Sequence, residues 1–422
     1  MDVTSAAVPP GHPGEPAGRE RVQKALNALF CLVAVAGIGV SVWAIVMQVA
    51  DLRARSESRE RIAAGCGGLV DPELVLGLNG GTDRVELSDR HHVSTARRVS
   101  NCLVHRVGDP GTTYGHFALT LTMYPADPKA DERRIALDDE PFELRRGGVD
   151  DITAAADRAV PHPLGDGRLG EYESHMVTAR ALCADDGALS SVEASAVAKY
   201  ADVARPEDRR TLAGLARQAV ERAAEERGCR AGLPALPAEF PEPAFALRPA
   251  AGAGGTCAWY GRLIAAEGRG SLPDRALAAP AGTASAHDAC LLALGEDGTR
   301  RIWPAYEKTT ERPRDLGTVL SLSPLWLRTE TLVGDGTRGV RTGLRDRTEI
   351  RPGTAGSDEF TWWASSVCDG RPALHLMQVS YPYDRILRDR LEPLFRAYVD
   401  DATGRRGCTS PVLPEASDFE RS

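Results

Sequence analysis

Hydrophobic positions are most concentrated near the N-terminus, where one apolar run precedes a much more polar sequence. Residues 25–50 read ALNALFCLVAVAGIGVSVWAIVMQVA and include no charged side chain. At about 1.5 Å per residue, a helix of this length rises about 39 Å and exceeds the hydrocarbon core of a bilayer, about 30 Å. The run therefore predicts a single transmembrane helix, and the membrane is the first partner that the sequence indicates.

Two other interpretations of this run would make it a processing signal. The apolar region of a secretory signal peptide is about 7 to 15 residues long and ends at a small-residue cleavage site, whereas charged residues from Asp51 to Arg55 follow here. Residues 63–66, Ala-Ala-Gly-Cys, resemble a lipoprotein processing site that would lipidate Cys66. The charged residues at 56–61 separate that site from the apolar run and cannot lie in the bilayer core. We therefore expect an uncleaved signal anchor.

Helical periodicity recurs in two later segments. Pro206 suits a first helical turn, while Pro393 removes one backbone donor and predicts a kink in the second helix. Gly228 and Gly407 are natural helix stops. The predicted buried faces comprise Leu212, Leu215, Ala216, Ala219, Val220 and Ala223 in the first helix, and Leu387, Leu391, Leu394, Phe395, Tyr398 and Val399 in the second.

Alternation of apolar and polar residues predicts strands in both halves of the chain. Residues 116–124, HFALTLTMY, show this period of two, and residues 318–323, TVLSLS, are the shorter expected counterpart. Residues 176–183 and 360–368 each read as a strand that ends in cysteine, followed by an acidic glycine turn and a second strand. Each of these pairs predicts a β-hairpin.

Eight of the nine cysteines form two matching sets. Cys31 lies in the apolar run and reads as a small packing residue. The other intervals are 36, 81 and 46 residues in the first set and 33, 78 and 40 in the second. The matched intervals predict an internal duplication. The two sets are Cys66, Cys102, Cys183 and Cys229, then Cys257, Cys290, Cys368 and Cys408.

The cysteine spacing favours disulfides over a metal site. Zinc-binding cysteines usually come in close pairs such as C-x₂-C, but the shortest gap between neighbouring cysteines of these sets is 28 residues, from Cys229 to Cys257. Each set allows three pairings, of which we favour first with second and third with fourth. On the chain-entropy model, each such loop stabilises by roughly 4 kcal/mol. Disulfides imply an oxidising compartment.

These patterns predict an α+β fold of two homologous repeats, each an antiparallel sheet with one long C-terminal helix, behind a single N-terminal transmembrane helix. Segments rich in Pro, Ala and Gly cannot form a core of their own and predict a disordered tail and a linker. The expected divisions are a cytoplasmic tail at 1–24, the transmembrane helix at 25–50, a juxtamembrane stalk at 51–65, repeat 1 at 66–229, a linker at 230–256, repeat 2 at 257–408 and a C-terminal tail at 409–422.

The charge of the chain argues against nucleic acid as a partner. The charges that flank the apolar run and the cysteines disagree about which side of the membrane the repeats occupy. The net charge of −8 lies entirely after residue 50, and an acidic exterior repels nucleic acid. The positive-inside rule slightly favours a cytoplasmic C-terminal side, whereas the cysteines favour the reverse. We expect the N-terminus in the cytoplasm and both repeats outside, because the flanks differ by one charge: Arg19, Arg21 and Lys24 before the run, Arg53, Arg55, Arg59 and Arg61 after it.

The chain carries no recognised catalytic or metal motif: no G-x-S-x-G, phosphate loop, H-E-x-x-H or calcium loop. The G-x-G-x-x-G matches at 165–170 and 334–339 lie in polar sequence and predict turns. The sequence thus predicts no catalytic residue, cofactor or metal site. Exposed loops are the expected setting of the histidines and acidic clusters, namely His91, His92 and His105, then Asp138-Asp139-Glu140 and Asp150-Asp151.

Tryptophans are the candidate contacts for a partner. Trp326, Trp362 and Trp363 could together line a binding surface. Adjacent strand residues point to opposite faces, so one of Trp362 and Trp363 should be buried and the other exposed. The exposed one of this pair is the predicted partner contact.

The apolar anchor, the sequences Cys183-Ala-Asp-Asp-Gly and Cys368-Asp-Gly-Arg-Pro-Ala-Leu, and the closing helices ending in Arg-Gly-Cys together resemble a known group. They resemble the single-pass membrane proteins of unknown function with a duplicated ectodomain that are common in actinobacteria. The resemblance covers residues 25–408 loosely. It implies the topology, and it brings no catalytic residues with it.

Two functions follow as expectations. The first is a non-enzymatic extracytoplasmic protein of the cell envelope that binds another envelope protein or a cell-wall component. The alternative is a cell-wall-directed hydrolase with one active repeat. A deep pocket with convergent titratable groups would favour the enzyme, and an exposed apolar groove between the repeats would favour binding.

Overall fold

A computed structural model describes most of the chain outside the first 16 residues. The described residues are 17–88, 91–108, 115–127, 135–136, 140–142, 151–183, 187–198, 205–282, 284–309, 315–322, 325–342, 348–381 and 383–420. The acidic residues 138–139 and 150, and the hairpin turn at 185–186, lie outside them. The chain divides into two units, residues 1–57 and Ser58–Ser422.

One long helix, α1, runs without a break from Ala17 to Gly65. Its stretch from Val22 onward is the one helix in the described residues that is long and apolar enough to cross a membrane, with a mean hydropathy of 2.5 in its most apolar window. The predicted disordered tail at 1–24 is therefore wrong for residues 17–24. No proline follows Pro16 before Pro72, so the helix extends backward through the basic flank.

The last two turns of α1 belong to the second unit and correct the predicted stalk at 51–65. Ser58 and Ile62, one turn apart on the helix, are both buried. The Ser58 hydroxyl donates to the carbonyl of Asp83 at 2.9 Å and accepts from the amide of Val85 at 3.2 Å. From Ser58 onward the predicted stalk is thus packed core.

The second unit contains eight further α-helices and eighteen strands in the described residues. The helices are α2 Pro72–Gly77, α3 Pro206–Glu226, α4 Ala258–Glu267, α5 Glu296–Thr309, α6 Leu316–Leu322, α7 Tyr383–Ile386, α8 Arg388–Arg406 and α9 Ser417–Glu420. The strands of repeat 1 are β1 Val85–Leu87, β2 Val99–Arg106, β3 Phe117–Pro125, β4 Ile135–Ala136, β5 His162–Pro163, β6 Gly170–Tyr172, β7 Met176–Leu182 and β8 Leu189–Val197. The later strands are β9 Arg248–Pro249, β10 Arg275–Ala278, β11 His287–Ala293, β12 Trp326–Val333, β13 Val340–Thr342, β14 Thr348–Glu349, β15 Gly356–Asp358, β16 Thr361–Cys368, β17 Arg371–Val379 and β18 Thr409–Val412.

Two large antiparallel sheets have the same order over six strands. The first runs β1-β2-β3-β8-β7-β6-β5, and the second runs β15-β16-β17-β12-β11-β10-β9 with β18 beside β16. Reversing the second list matches β10, β11, β12, β17, β16 and β15 to β1, β2, β3, β8, β7 and β6. Both predicted hairpins are confirmed as β7–β8 and β16–β17. The chain is thus an α+β fold with two antiparallel sheets.

A long helix covers one face of each sheet, as the periodicity predicts. Every predicted face residue of α3 and α8 is buried. Pro206 begins α3, and Gly228 follows its end with a φ of +68°. Gly407 ends α8 in the left-handed conformation, which glycine adopts without steric cost.

The predicted strand at 318–323 is wrong. Residues Leu316–Leu322 form the helix α6, and the strand that matches β3 is β12. Asp315 explains the helix, because its carboxylate accepts from the backbone amide of Thr318 at 3.0 Å. This N-cap bond satisfies one of the donors that a helix start leaves open.

The segments predicted as repeat 1 and repeat 2 lie within one compact unit, so the expected pair of domains on a linker needs correction. Strand β4 of repeat 1 pairs in parallel with β13 of repeat 2. The predicted linker supplies β9 to the second sheet and packs Leu236 and Phe240 against the first core. Its apolar residues, spaced between the prolines, account for this packing.

Cysteine sulfurs lie at bonding distance in four pairs, with the first joined to the second and the third to the fourth of each set. The pairs are Cys66–Cys102, Cys183–Cys229, Cys257–Cys290 and Cys368–Cys408. Cys102 and Cys290 lie on the matched strands β2 and β11, while Cys183 and Cys368 end the matched strands β7 and β16. Cys31 is unpaired and exposed in the structure.

Both tryptophans of the predicted partner contact are buried, so the expectation of an exposed one is wrong. Trp362 is 0% exposed and Trp363 is 8% exposed. Their side chains do lie on opposite faces of β16, but each face is covered. Phe419 of the predicted C-terminal tail stacks on Trp362, and Val340 and Ile350 share a cluster with Trp363. Trp326 is buried as well.

Candidate functional site

A pocket of about 230 Å³ lies between the two repeats, on the face of the second sheet opposite α8. Its floor comes from β11 and β12, and its cover comes from repeat 1 at residues 140–141 and 157–161. Ala289, Leu291 and Val160 supply apolar walls. The charged side chains that line it are Glu140, Asp157, Arg158, Glu173, His287, Arg328 and Glu330.

The strand register explains why these charges converge. Ala289 pairs with Glu330 and Leu291 pairs with Arg328 across β11 and β12, and directly opposed residues share a face. His287 lies two residues before Ala289 and therefore on that face too. Glu173 follows β6 of the first sheet, where its amide donates to the carbonyl of Met176 at 2.9 Å. Both sheets are thus needed to assemble the pocket.

His287 lies at the centre of a chain of ion pairs. Its Nδ1 is 3.6 Å from a carboxylate oxygen of Glu171, and its Nε2 is 3.9 Å from one of Glu330. The other oxygen of Glu330 lies 3.0 Å from the Arg328 guanidinium. Arg328 also donates to the side-chain oxygen of Gln378 at 3.2 Å. These groups hold each other in place.

The carboxylates keep His287 charged at neutral pH. Burial opposes its charge, but the contact with Glu171 and the charges of Glu171, Glu330 and Glu173 outweigh it and raise the pKa of His287 to about 9. For Glu171, burial raises the pKa, yet His287 and Arg180 more than compensate and leave the pKa below its usual value. The pair is therefore an imidazolium with a carboxylate.

Glu173 is the exception in the pocket. Burial, with the nearby charges of Glu171 and Glu330, raises the pKa of its carboxyl to about 7, although His287 and Arg158 oppose the shift. Among the residues that the structure describes, no hydrogen bond or ion pair reaches this carboxyl. The Nε2 of His287 likewise has no hydrogen-bond partner in the described part of the chain. A ligand in the pocket could therefore form hydrogen bonds with both groups.

A second constellation, behind the same sheet, is structural. The Ser366 hydroxyl lies 2.8 Å from Nε2 of His375, and Thr331 lies 3.2 Å from Nδ1. All three residues are buried against α8, and burial with the charges of Arg406 and Arg405 lowers the pKa of His375 to about 4. A serine beside a histidine can be a nucleophile, but this pair is buried, with Ser366 4% exposed and His375 0% exposed.

The histidines and glycine motifs considered from the sequence do not line this pocket. His92 is exposed and His91 accepts or donates with Ser88 at 2.7 Å, while His105 is on β2. In the described residues no three potential ligands gather around a metal position. Both G-x-G-x-x-G segments are turns or short 3₁₀ helix that precede strands, as expected of turns and unlike a dinucleotide loop.

The pocket residues escaped motif searches, although the sequence carries a faint signal. Glu171-Tyr-Glu173 and Arg328-Thr-Glu330 each place two charges at alternate positions of a strand-like segment. Such charges share one face, and a charged face next to buried apolar strands predicts either a solvated surface or a site. The sequence does not show that repeat 1 covers this face.

The fold defines an α+β protein with two like-ordered antiparallel sheets and a pocket between them. No protein-family model, no curated protein and no solved structure matches the chain.

Proposed function

We propose that this chain is a membrane-anchored, extracytoplasmic binding protein, without catalytic activity, whose pocket between the repeats holds a small polar ligand. One observation carries the proposal: the Glu173 carboxyl and the His287 Nε2 face a pocket of about 230 Å³ without hydrogen-bond partners among the described residues. Binding sites commonly combine apolar walls with a few convergent polar groups. The ligand is a component of the cell envelope.

The anchor and the cysteines support the exported topology. Residues 25–50 span the membrane once with the N-terminus in the cytoplasm, and Ser58–Ser422 lies outside. Four cysteine pairs at disulfide distance are typical of an oxidising compartment. The shared strand order and the matched cysteine positions support homologous repeats, in keeping with the resemblance to duplicated actinobacterial membrane proteins.

A pocket of this size is a poor fit for a wall polymer. Its volume lies below the usual range for drug-sized ligands, about 300 to 1,000 Å³, and its charged floor is already ion-paired through His287, Glu330 and Arg328. Catalysis would require groups free to change charge as the reaction proceeds. Small-ligand binding requires only complementary partners.

A thermal-shift screen of the full chain in detergent micelles tests the proposal. The compounds are amino acids, short amines, organic acids and monosaccharides. A ligand at 100 times its Kd stabilises by about 2.7 kcal/mol. We expect at least one compound to raise the Tm of the wild type and of Asn101→Met, but not of Ala289→Met, whose longer side chain fills the pocket. Asn101 holds the register position in the first sheet that Ala289 holds in the second.

An unchanged response of Ala289→Met to such a compound, or no response of the wild type to any compound, would contradict the proposal.

The hydrolase is kept as a second candidate because of Glu173. A carboxyl with a pKa of about 7 is suited to act as an acid or base near neutral pH. Incubating the full chain with cell-wall fragments, beside Glu173→Gln, distinguishes the two functions. Release of product by the wild type and none by Glu173→Gln would establish the enzyme, and binding of a small ligand without product supports the binding protein.

A further inference from the structure

We propose that the ligand carries an ammonium group and that the Glu173 carboxylate receives it. This inference rests on the proposed function, because it names the ligand class of the same pocket.

Counting the ionic partners around His287 shows that one of the carboxylates beside it has no cation at ion-pair distance. Three carboxylates surround the imidazolium: Glu171 at 3.6 Å, Glu330 at 3.9 Å, and Glu173, which interacts electrostatically without a direct bond. Glu330 also has Arg328 at 3.0 Å. Glu173 alone of the three has no cation at ion-pair distance in the described residues. Glu173 is half-buried, and a carboxylate that has lost part of its water without gaining a partner is unfavourable, so a cationic ligand group would satisfy it.

The opposite charge is disfavoured at the same place. The His287 Nε2 is the one nearby donor without a hydrogen-bond acceptor in the described residues. An anion that approached it would also meet the carboxylates of Glu330 and Glu173, which flank the imidazolium. Like charges that close cost several kcal/mol at an interface. A neutral acceptor on the ligand can still use Nε2 while an ammonium group pairs with Glu173.

The walls limit the rest of the ligand. Leu291, Ala289 and Val160 line the pocket beside the charged groups, and apolar surfaces are stabilised when they exclude water. A short aliphatic chain behind the ammonium group would therefore pack on them. The volume of about 230 Å³ excludes a bulky ligand.

Binding of a cation should depend on pH through Glu173. The charged groups that face this carboxyl are His287 and Glu330 from the second sheet, Glu171 from its own strand and Arg158 from the cover. Their combined field and burial leave the pKa of Glu173 at about 7, so the free site is mostly protonated at pH 6. An ammonium ligand binds the ionised form, and by proton linkage its affinity rises about tenfold from pH 6 to pH 8.

Calorimetric titration of the full chain in detergent micelles, at constant ionic strength, tests the inference. The probes are n-butylammonium chloride, 1-butanol and sodium butyrate, which share a chain and differ in charge. We expect butylammonium to bind at least tenfold more tightly than the other two at pH 8, with affinity about tenfold lower at pH 6. Glu173→Gln should lose both the binding and its pH dependence, while Glu225→Gln, an exposed change on α3, should retain both.

Equal or tighter binding of butyrate or butanol, or no binding of butylammonium, would overturn the ammonium inference. If another compound still binds in the screen and is blocked by Ala289→Met, the pocket remains a ligand site and only the ligand class is wrong. Glu173→Gln is isosteric and removes a charge that lacks a partner, so its fold should survive. A Tm of Glu173→Gln at pH 6 that is at least as high as the wild-type Tm verifies this.

Discussion

The two sheets share their strand order but differ in what they place at matched positions. Taking Cys102 and Cys290 as equivalent, the β2–β3 and β11–β12 registers align residue by residue. Three uncharged residues of the first sheet then correspond to three charged residues of the second. The matched pairs are Val99 with His287, Ala118 with Arg328 and Thr120 with Glu330.

The two faces differ because another part of the chain covers these positions in the second sheet. Val99 on the first sheet is 54% exposed. The matched face of the second sheet is covered by Phe142, Ile152 and Val160 of repeat 1, which pack on Leu277 and Leu291. Charges beneath such a cover lose water and must pair with each other. The same scaffold therefore gives a partly open face in one sheet and a polar pocket in the other.

Removing a disulfide should have the largest effect, and it should be similar in both repeats. The loops closed by Cys66–Cys102 and Cys257–Cys290 span 36 and 33 residues, so each bond stabilises by roughly 4 kcal/mol on the chain-entropy model. Replacing either pair by serine should lower the free energy of unfolding by about that amount, measured by denaturant titration. A loss confined to one repeat would show that the sheets unfold independently.

His287→Gln should destabilise the protein at acidic and neutral pH, and the effect should disappear above about pH 9. The pKa of His287 is raised to about 9 in the folded state, so its ion pairs stabilise fully below the unfolded pKa, about 6.5, and are lost as pH rises through about 9. We expect a loss of about 2 to 3 kcal/mol at pH 6 and almost none at pH 10. A loss that does not vary with pH would mean that His287 acts through packing.

Glu173→Gln should change stability in the opposite direction and at the opposite end of the pH range. The raised pKa means that the folded protein holds a proton that the unfolded chain releases above about pH 4.5, so stability falls as pH rises to about 7. Glu173→Gln has no ionisable group at this position, so it does not lose this stability as the pH rises. We expect it to be more stable than wild type by about 1 to 2 kcal/mol at pH 8, after discounting for water in the pocket, and equal near pH 4.5. Glu225→Gln is the control and should match wild type at both values.

Val99→Gln should have the smallest effect, because the matched position in the first sheet is exposed and bears no ion pairs. Surface substitutions usually change stability by less than about 0.5 kcal/mol. Thermal unfolding of this variant should therefore coincide with wild type at pH 6, where His287→Gln is weakened. If Val99→Gln and His287→Gln lost a comparable amount of stability, the proposed contrast between the two sheets would be wrong.

Periodicity and cysteine spacing correctly predicted the features that depend on residues close together in sequence. The faces of α3 and α8, both hairpins and the apolar helix follow from residues that are neighbours along the chain. The strand predicted at 318–323 failed because one capping residue, Asp315, stabilises a helix there. Local signals also placed one of Trp362 and Trp363 at a surface, since nothing nearby in sequence shows that Phe419 covers the first and that Val340 and Ile350 cover the second.

The pocket could not be predicted because its parts come from distant segments. Glu173 and His287 are 114 residues apart, and their meeting depends on how one sheet packs on the other. Each charge by itself has the pattern of a solvated strand face. Only the cover at residues 140–141 and 157–161 turns that face into a site, and a cover made by a distant segment leaves no periodic signal.

The export of the disulfide-linked repeats is the central claim, since the proposed envelope ligand depends on it. Protein isolated from membranes in the presence of an alkylating agent, then digested without reduction, can be mapped by mass spectrometry. We predict four linked peptide pairs, Cys66–Cys102, Cys183–Cys229, Cys257–Cys290 and Cys368–Cys408, with alkylation at Cys31 alone. Alkylation of all nine cysteines would show a reducing compartment and contradict the account.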